Sequence, residues 1–195
     1  MEINKIYNEL PEEYLKQVLN FEGGYLSAEK AAKLGDRGGE TCRGITIGAL
    51  NAAKAAGIVD PSVTCESLLN DLVSVRKIYE VNYYKRSKAN LMPHPLAFAH
   101  FDASVNHGCG NSAKFLQRSL NKLGYNLDVD GGIGPKTLRI LTECLMTKSI
   151  LEVTSTYCYI RLTFYNAIVS NNQSMAKFYA GWVNRLNKVK IFCGV

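Results

Sequence analysis

The stretch Phe21-Glu22-Gly23-Gly24-Tyr25 places one carboxylate where acid chemistry is possible. Leu15, Val18, Leu19 and Glu22 recur at i, i+3, i+4 and i+7, a single helical stripe. A carboxylate on an apolar stripe is uncommon unless it is paired or used. The two glycines are a helix-stop signal, so the spacing predicts Glu22 in the last turn, where the helix dipole disfavours negative charge. Partial burial disfavours it too. Both effects favour the protonated carboxyl that a general acid holds ready. The competing reading makes Glu22 an edge-of-core residue bonded to an arginine or a backbone amide.

Further side chains of the right type follow in Gly35-Asp36-Arg37-Gly38-Gly39-Glu40-Thr41-Cys42-Arg43-Gly44-Ile45-Thr46. Asp36 supplies a second carboxylate, or closes a turn onto backbone amides. Thr41 and Thr46 can position a water, or simply suit a short strand. Four glycines and two acids in these twelve residues do not make a regular helix. A short hairpin or irregular ribbon over 36–46 fits better.

The elements around this ribbon read as helices. The first is expected over residues 11–22, with Pro11 in its first turn. A short one is possible over Ser27–Leu34. Others are expected over Thr46–Gly57, Ser67–Tyr84 and Leu96–Asn106, the last stopped at His107-Gly108, with Asn111 capping its successor. Pro135 starts a helix carrying Leu138, Leu141 and Leu145. Tyr157, Ile160, Arg161, Phe164 and Ile168 share one face of a further helix, and Phe178, Trp182, Leu186 and Val189 form the last stripe. Asp130 with Gly131 and Gly134 reads as a tight turn. No repeats or Pro/Gly/Ser-rich linker break the chain.

The 195 residues are 47% hydrophobic and 21% charged, ordinary for a globular protein, with a formal net charge of +6. That balance favours an anionic partner: nucleic acid, anionic lipid or an acidic wall polymer. Lys85-Arg86-Ser87-Lys88 is the densest basic cluster and is too short for a nucleic-acid arm. No stretch approaches the roughly 18 apolar residues of a membrane span. The six cysteines form no Cys-x-x-Cys pair, which argues against a zinc ribbon or a thioredoxin site. The N-terminal residues carry no apolar core of a secretory leader, so free thiols and synthesis in the bacterial cytoplasm are expected.

Phe21–Tyr25, Asp36-Arg37-Gly38-Gly39-Glu40-Thr41 and Gly44-Ile45-Thr46 together resemble glycoside hydrolase family 108, the N-acetylmuramidases also labelled secretion activator proteins. The resemblance continues through Phe101–Gly108. It then covers Phe115-Leu116-Gln117 to Leu123-Gly124-Tyr125 and Asp130–Thr137, which resemble a peptidoglycan-binding module. Gly181–Arg185 resembles the closing helix. Glu22 and Asp36 are fourteen residues apart, about one helical turn longer than the family pattern, and Ser27–Leu34 reads as the insertion.

The resemblance implies a mainly α, lysozyme-like helical fold with a small β-hairpin element and a packed helical C-terminal module. It divides the chain at 1–95, the catalytic region, and 96–195, the binding-like region. It implies hydrolysis of the β-1,4 bond between N-acetylmuramic acid and N-acetylglucosamine, with no cofactor and no metal. Glu22 takes the acid role, Asp36 that of the second carboxylate, and Thr41 or Thr46 that of water holder. By its own residue type Tyr25 either stacks on a sugar ring or packs after the glycines, and Arg43 is expected to contact sugar. Asp102 and Asn106, an i, i+4 pair, either line the far wall of the cleft or cap the Gly108 turn. The partner is peptidoglycan, without nucleic acid or membrane insertion, reached by a route other than general secretion. The main rival is a non-enzymatic wall-binding or secretion-associated protein that keeps the fold. A basic nucleic-acid binder is a weaker second, recognisable by salt-sensitive binding to DNA.

Overall fold

The structure is a computed structural model and describes residues 1–30 and 39–195. Asp36 therefore lies outside the described residues, as does the second half of the expected Ser27–Leu34 helix. Its first residues, 28–30, are helical, and the Lys30 N–H donates to Ser27 Oγ at 3.4 Å.

The chain is mainly α with one small antiparallel sheet. In order come α1 (Glu12–Leu19), β1 (Tyr25–Leu26), β2 (Thr41–Cys42), β3 (Ile45–Thr46), α2 (Ile47–Ala55) and α3 (Leu72–Tyr79). Then follow α4 (Leu96–Lys122), α5 (Pro135–Thr147), α6 (Ile150–Asn171) and α7 (Ala176–Cys193). The chain divides into two compact units, residues 9–82 and residues 1–8 with 83–195.

In the unit of residues 9–82, α1 buries Tyr14, Leu15 and Val18, α2 buries Leu50 and Ala53, and α3 buries Val75, Ile78 and Tyr79. Each large apolar side chain removed from water contributes about 1.5–3 kcal/mol. The strands run in the order β1-β2-β3, with Tyr25 opposite Cys42 and Thr41 opposite Thr46. The hairpin was expected from sequence; Tyr25-Leu26 as its third strand was not. The single helix expected over Ser67–Tyr84 is three pieces: a 3₁₀ turn at Ser67–Leu69, then α3, then a π-helical turn at Glu80–Lys85. Asp71 makes the break, because its carboxylate accepts the Ser74 N–H at 3.0 Å and so starts a new helix.

In the unit of residues 1–8 and 83–195, α4 is bent at Gly108, whose φ of 80° and ψ of 157° are not helical. Asn111 was expected to cap the second segment. It does the opposite: its side-chain amide donates to the His107 carbonyl at 3.0 Å, an acceptor on the near side of the bend. Ahead of α5, buried Gln117 organises the Asp130 turn. Its Nε2 donates to Asp130 Oδ1 at 2.6 Å and the Gly132 carbonyl at 2.9 Å, while its Oε1 accepts the Gly131 N–H at 3.0 Å. Aromatic packing joins α4, α6 and α7: Phe115 to Phe164 at 5.1 Å and Tyr165 to Trp182 at 5.5 Å between ring centres.

All six cysteines are free thiols. Burial pushes their pKa values up, Cys65 and Cys158 each to about 11. Among the described residues, no helix is long and apolar enough to cross a membrane, and no group of His, Cys, Asp and Glu side chains could hold a metal ion.

His100 is fully buried on α4. Its Nε2–H donates to the Ser87 carbonyl at 3.0 Å, and the Tyr157 hydroxyl lies 3.2 Å from Nδ1. Burial lowers its pKa from 6.5 to about 4. The folded state therefore keeps this ring neutral while the unfolded chain protonates it. Its contribution is complete above about pH 6.5 and is lost as pH falls toward 4, by up to about 1.4 kcal/mol per pH unit. Urea unfolding at a series of pH values should show a shallower acid loss in His100→Gln than in the parent chain. Identical slopes would remove His100 from the acid response.

Candidate active site

Strands β2 and β3 are joined by Arg43 and Gly44 alone, with φ of 48° and 76°. Positive φ at both central residues is the mark of the type I′ hairpin turn, whose twist matches the strands. Arginine is not a residue this region favours, and three hydrogen bonds hold it there. Its Nε and Nη2 donate to the carbonyls of Leu68 and Leu69 at 3.1 and 2.6 Å. Its own carbonyl accepts the hydroxyl of buried Tyr79 at 2.7 Å.

Glu22 meets this turn. Beyond α1 the chain continues for two residues in tight turns, Phe21 N–H to the Val18 carbonyl at 2.9 Å and Glu22 N–H to that of Leu19 at 3.3 Å. The helix proper thus ends three residues earlier than the spacing predicted, yet Glu22 stays on its open end. Its half-buried carboxylate lies directly against Gly44. A methyl carbon added to Gly44 would stand 2.6 Å from Glu22 Oε2 and 2.8 Å from the Tyr79 hydroxyl oxygen. A side chain at this position would have to displace the Glu22 carboxylate and the Tyr79 hydroxyl.

Tyr25 projects from β1 and donates its hydroxyl to Glu40 Oε1 at 2.6 Å. That bond, with smaller contributions from desolvation and the Glu40 charge, raises the Tyr25 pKa to about 12. The phenol thus remains a protonated donor at any physiological pH. The hydroxyls of the two threonines have structural partners. Thr41 Oγ1 donates to the Gly39 carbonyl at 3.1 Å, and Thr46 Oγ1 accepts the Ala49 N–H at 3.2 Å as the cap of α2.

Asp102 does not line a cleft. It is fully buried in the helical unit, with Arg161 Nη1 at 2.6 Å from Oδ2 and Arg185 Nε at 2.9 Å from Oδ1. Burial opposes its ionisation, but the two arginines outweigh that and hold its carboxyl below the usual range. Arg161 Nε also donates to the Tyr165 hydroxyl at 2.6 Å, which lies 3.0 Å from His107 Nε2. The Asn106 side-chain amide lies 3.1 Å from that same nitrogen. Asp102 and Asn106 thus belong to one polar network around the bend in α4. A carboxylate with no exposed atom cannot reach a glycan while the unit stays folded.

The structure therefore brings Glu22, Arg43 and Gly44 together, with Tyr25 on the same sheet. It adds Tyr79, which the sequence shows only as one more member of an apolar stripe. The available signal was chemical: a buried tyrosine needs a partner for its hydroxyl.

Two outcomes follow from this geometry. Gly44→Ala should cost about 1–3 kcal/mol through the left-handed backbone alone, and displace the Glu22 carboxylate as well. Chemical unfolding should register the first effect and the side-chain carboxyl ¹³C resonance of Glu22 the second; an equally stable variant with an unmoved Glu22 signal would contradict both. Separately, Tyr25 should titrate late, near 12, in a ¹³C-tyrosine NMR series. Glu40→Gln should bring it down toward the ordinary value of 10.

Comparison with known proteins places these features. The family described as Glycosyl hydrolase 108 matches residues 15–108, and that described as Predicted Peptidoglycan domain matches residues 111–187. A structure of Brucella abortus SagA superimposes with a TM-score of 0.69 over 93% of this chain and 91% of that one, at 24% sequence identity. That likeness establishes the fold. Among curated proteins no sequence match was found. With Glu22 and the glycine-rich hairpin inside the first matched segment, residues 15–108 belong to glycosyl hydrolase family 108, and a peptidoglycan domain follows over residues 111–187.

Proposed function

We propose that the chain is an N-acetylmuramidase that cleaves the β-1,4 bond between N-acetylmuramic acid and N-acetylglucosamine, with Glu22 as general acid. Peptidoglycan hydrolysis is the family's activity. The assignment to Glu22 is carried by one observation: its carboxylate rests against the bare backbone of Gly44 at a hairpin tip. A glycan can approach such a turn closely, because no side chain projects from Gly44.

In this reading Glu22 gives its proton to the glycosidic oxygen as the bond to the anomeric carbon breaks. Positive charge develops on that carbon and its ring oxygen. A second carboxylate stabilises this charge or takes the proton of the attacking water. Asp36 is the proposed residue, and carboxyl separations of about 5 to 9.5 Å suit the two stereochemical courses. Glu40 is engaged by Tyr25 and serves that phenol. Thr41 and Thr46 enter as supports of the hairpin and the α2 cap. Tyr25 and Arg43 flank the approach to the turn as sugar contacts.

Glu22→Gln tests the assignment. Glutamine keeps the shape but has no proton to give, so hydrolysis should fall by roughly 10² to 10⁴. Thermal unfolding should move little, because glutamine keeps the shape and one acceptor oxygen. New muramic acid reducing ends, trapped by borohydride and counted by mass spectrometry, give the activity. A well-folded Glu22→Gln chain with full lytic activity would sink the proposal. Loss of activity only in step with loss of folding would make Glu22 a structural ion-pair partner instead.

A further inference from the structure

The unit that carries Glu22 holds a second concavity. Helices α1 and α3 border a groove of about 850 Å³, within the size range of small-ligand sites. Its floor is aliphatic: Leu15, Leu19, Leu72 and Val73. Leu72 and Val73 are 52% and 66% exposed, an unusual position for two adjacent large apolar side chains. Its rim is cationic, with Lys16, Arg43, Arg76 and Lys77 against the two carboxylates of Glu12 and Glu80.

Two of the four cations are fixed before any ligand arrives. Arg43 is tied to the carbonyls of Leu68 and Leu69, and Arg76 Nη2 donates to the carbonyl of Leu10. Such pre-organisation lowers the entropy lost on binding. The groove also touches the catalytic turn along the chain. Asn20 and Arg43 both line it, and they stand beside the segments that bring Glu22 against Gly44.

Among the described residues the lining contains no aromatic side chain, the platform on which a sugar ring or a nucleobase stacks. Small aliphatic contacts with an excess of positive charge suit a short anionic peptide bearing small side chains. Peptidoglycan supplies one. Each muramic acid carries a peptide stem of alanine methyls and free carboxylates. We infer that the groove between α1 and α3 takes the peptide stem of the glycan strand, with carboxylates on the cationic rim and methyls on the Leu72–Val73 floor. The inference rests on the reading of the chain as a peptidoglycan hydrolase, and it adds recognition of the stem to cleavage of the sugar backbone.

The test uses the full chain and a free stem peptide, L-alanyl-γ-D-glutamyl-diaminopimelate, followed through methyl NMR. The methyl signals of Leu15, Leu19, Leu72 and Val73 should move, and binding should weaken as salt rises. A Lys16→Glu/Lys77→Glu double variant should bind about tenfold more weakly or worse, as should a peptide with amidated carboxyls binding the parent chain. Both lysines are exposed, and an unchanged methyl spectrum away from the groove will show that the variant remains folded. Shifts confined to other methyls, or equal affinity in the double variant, would overturn the inference. Peptide binding in the groove by a chain that proves unable to hydrolyse peptidoglycan would leave the groove assigned and remove the muramidase reading. Hydrolysis without peptide binding would do the reverse.

Discussion

The tip of the β2–β3 hairpin can accept a carboxylate because nothing projects from Gly44. Two demands meet at that one position. The turn requires positive φ, and Glu22 with Tyr79 requires empty space. Most turns impose only the first, which asparagine can also meet. Here the second adds that any side chain must displace Glu22 and Tyr79. The neighbouring Arg43 adopts its unfavoured backbone because three hydrogen bonds hold it, and those bonds tie the turn to the Ser67–Leu69 segment and to α3. The position of the Glu22 carboxylate is thus a property of three separate stretches of chain, fixed at a two-residue turn.

The helical unit solves a different problem, a buried charge. Asp102 has no exposed surface and faces two arginines, one from α6 and one from α7. Breaking such an arrangement by removing one partner leaves an uncompensated charge, typically a loss of 3–5 kcal/mol. The same network keeps His107 neutral. Burial first, then the positive charge of Arg161, lowers its pKa to about 3. Helix α4 is thereby held in register with the α6–α7 pair by polar contacts that tolerate little displacement.

Much of this was legible from the residues. The apolar stripe of α1, the ribbon, Pro135 at the start of α5 and the two long C-terminal helices carry local signals with a single structural meaning. What was not legible depended on partners distant in sequence. Asp102 and Asn106 read as a polar pair on one helix face, and nothing nearby indicates that Arg161, 59 residues on, neutralises the first of them. Arg161 itself sat on an apolar stripe; two opposite charges on two buried stripes were a clue to each other. The long helix expected before residue 84 failed for a local reason. The apolar periodicity ran through Asp71, and the capping preference of that residue proved stronger than the stripe.

The thiols lead to a different kind of consequence. A cysteine reacts and oxidises as its thiolate, and burial makes that form scarce at Cys42 and Cys65 in one unit and at Cys144, Cys158 and Cys193 in the other. In the closed protein these sulfurs behave as small apolar core atoms. Alkylation must therefore wait for an opening event, and its rate at each sulfur reports how often that part of the chain opens. Because the two sets lie in different units, the native sequence already contains separate chemical clocks for the breathing of each.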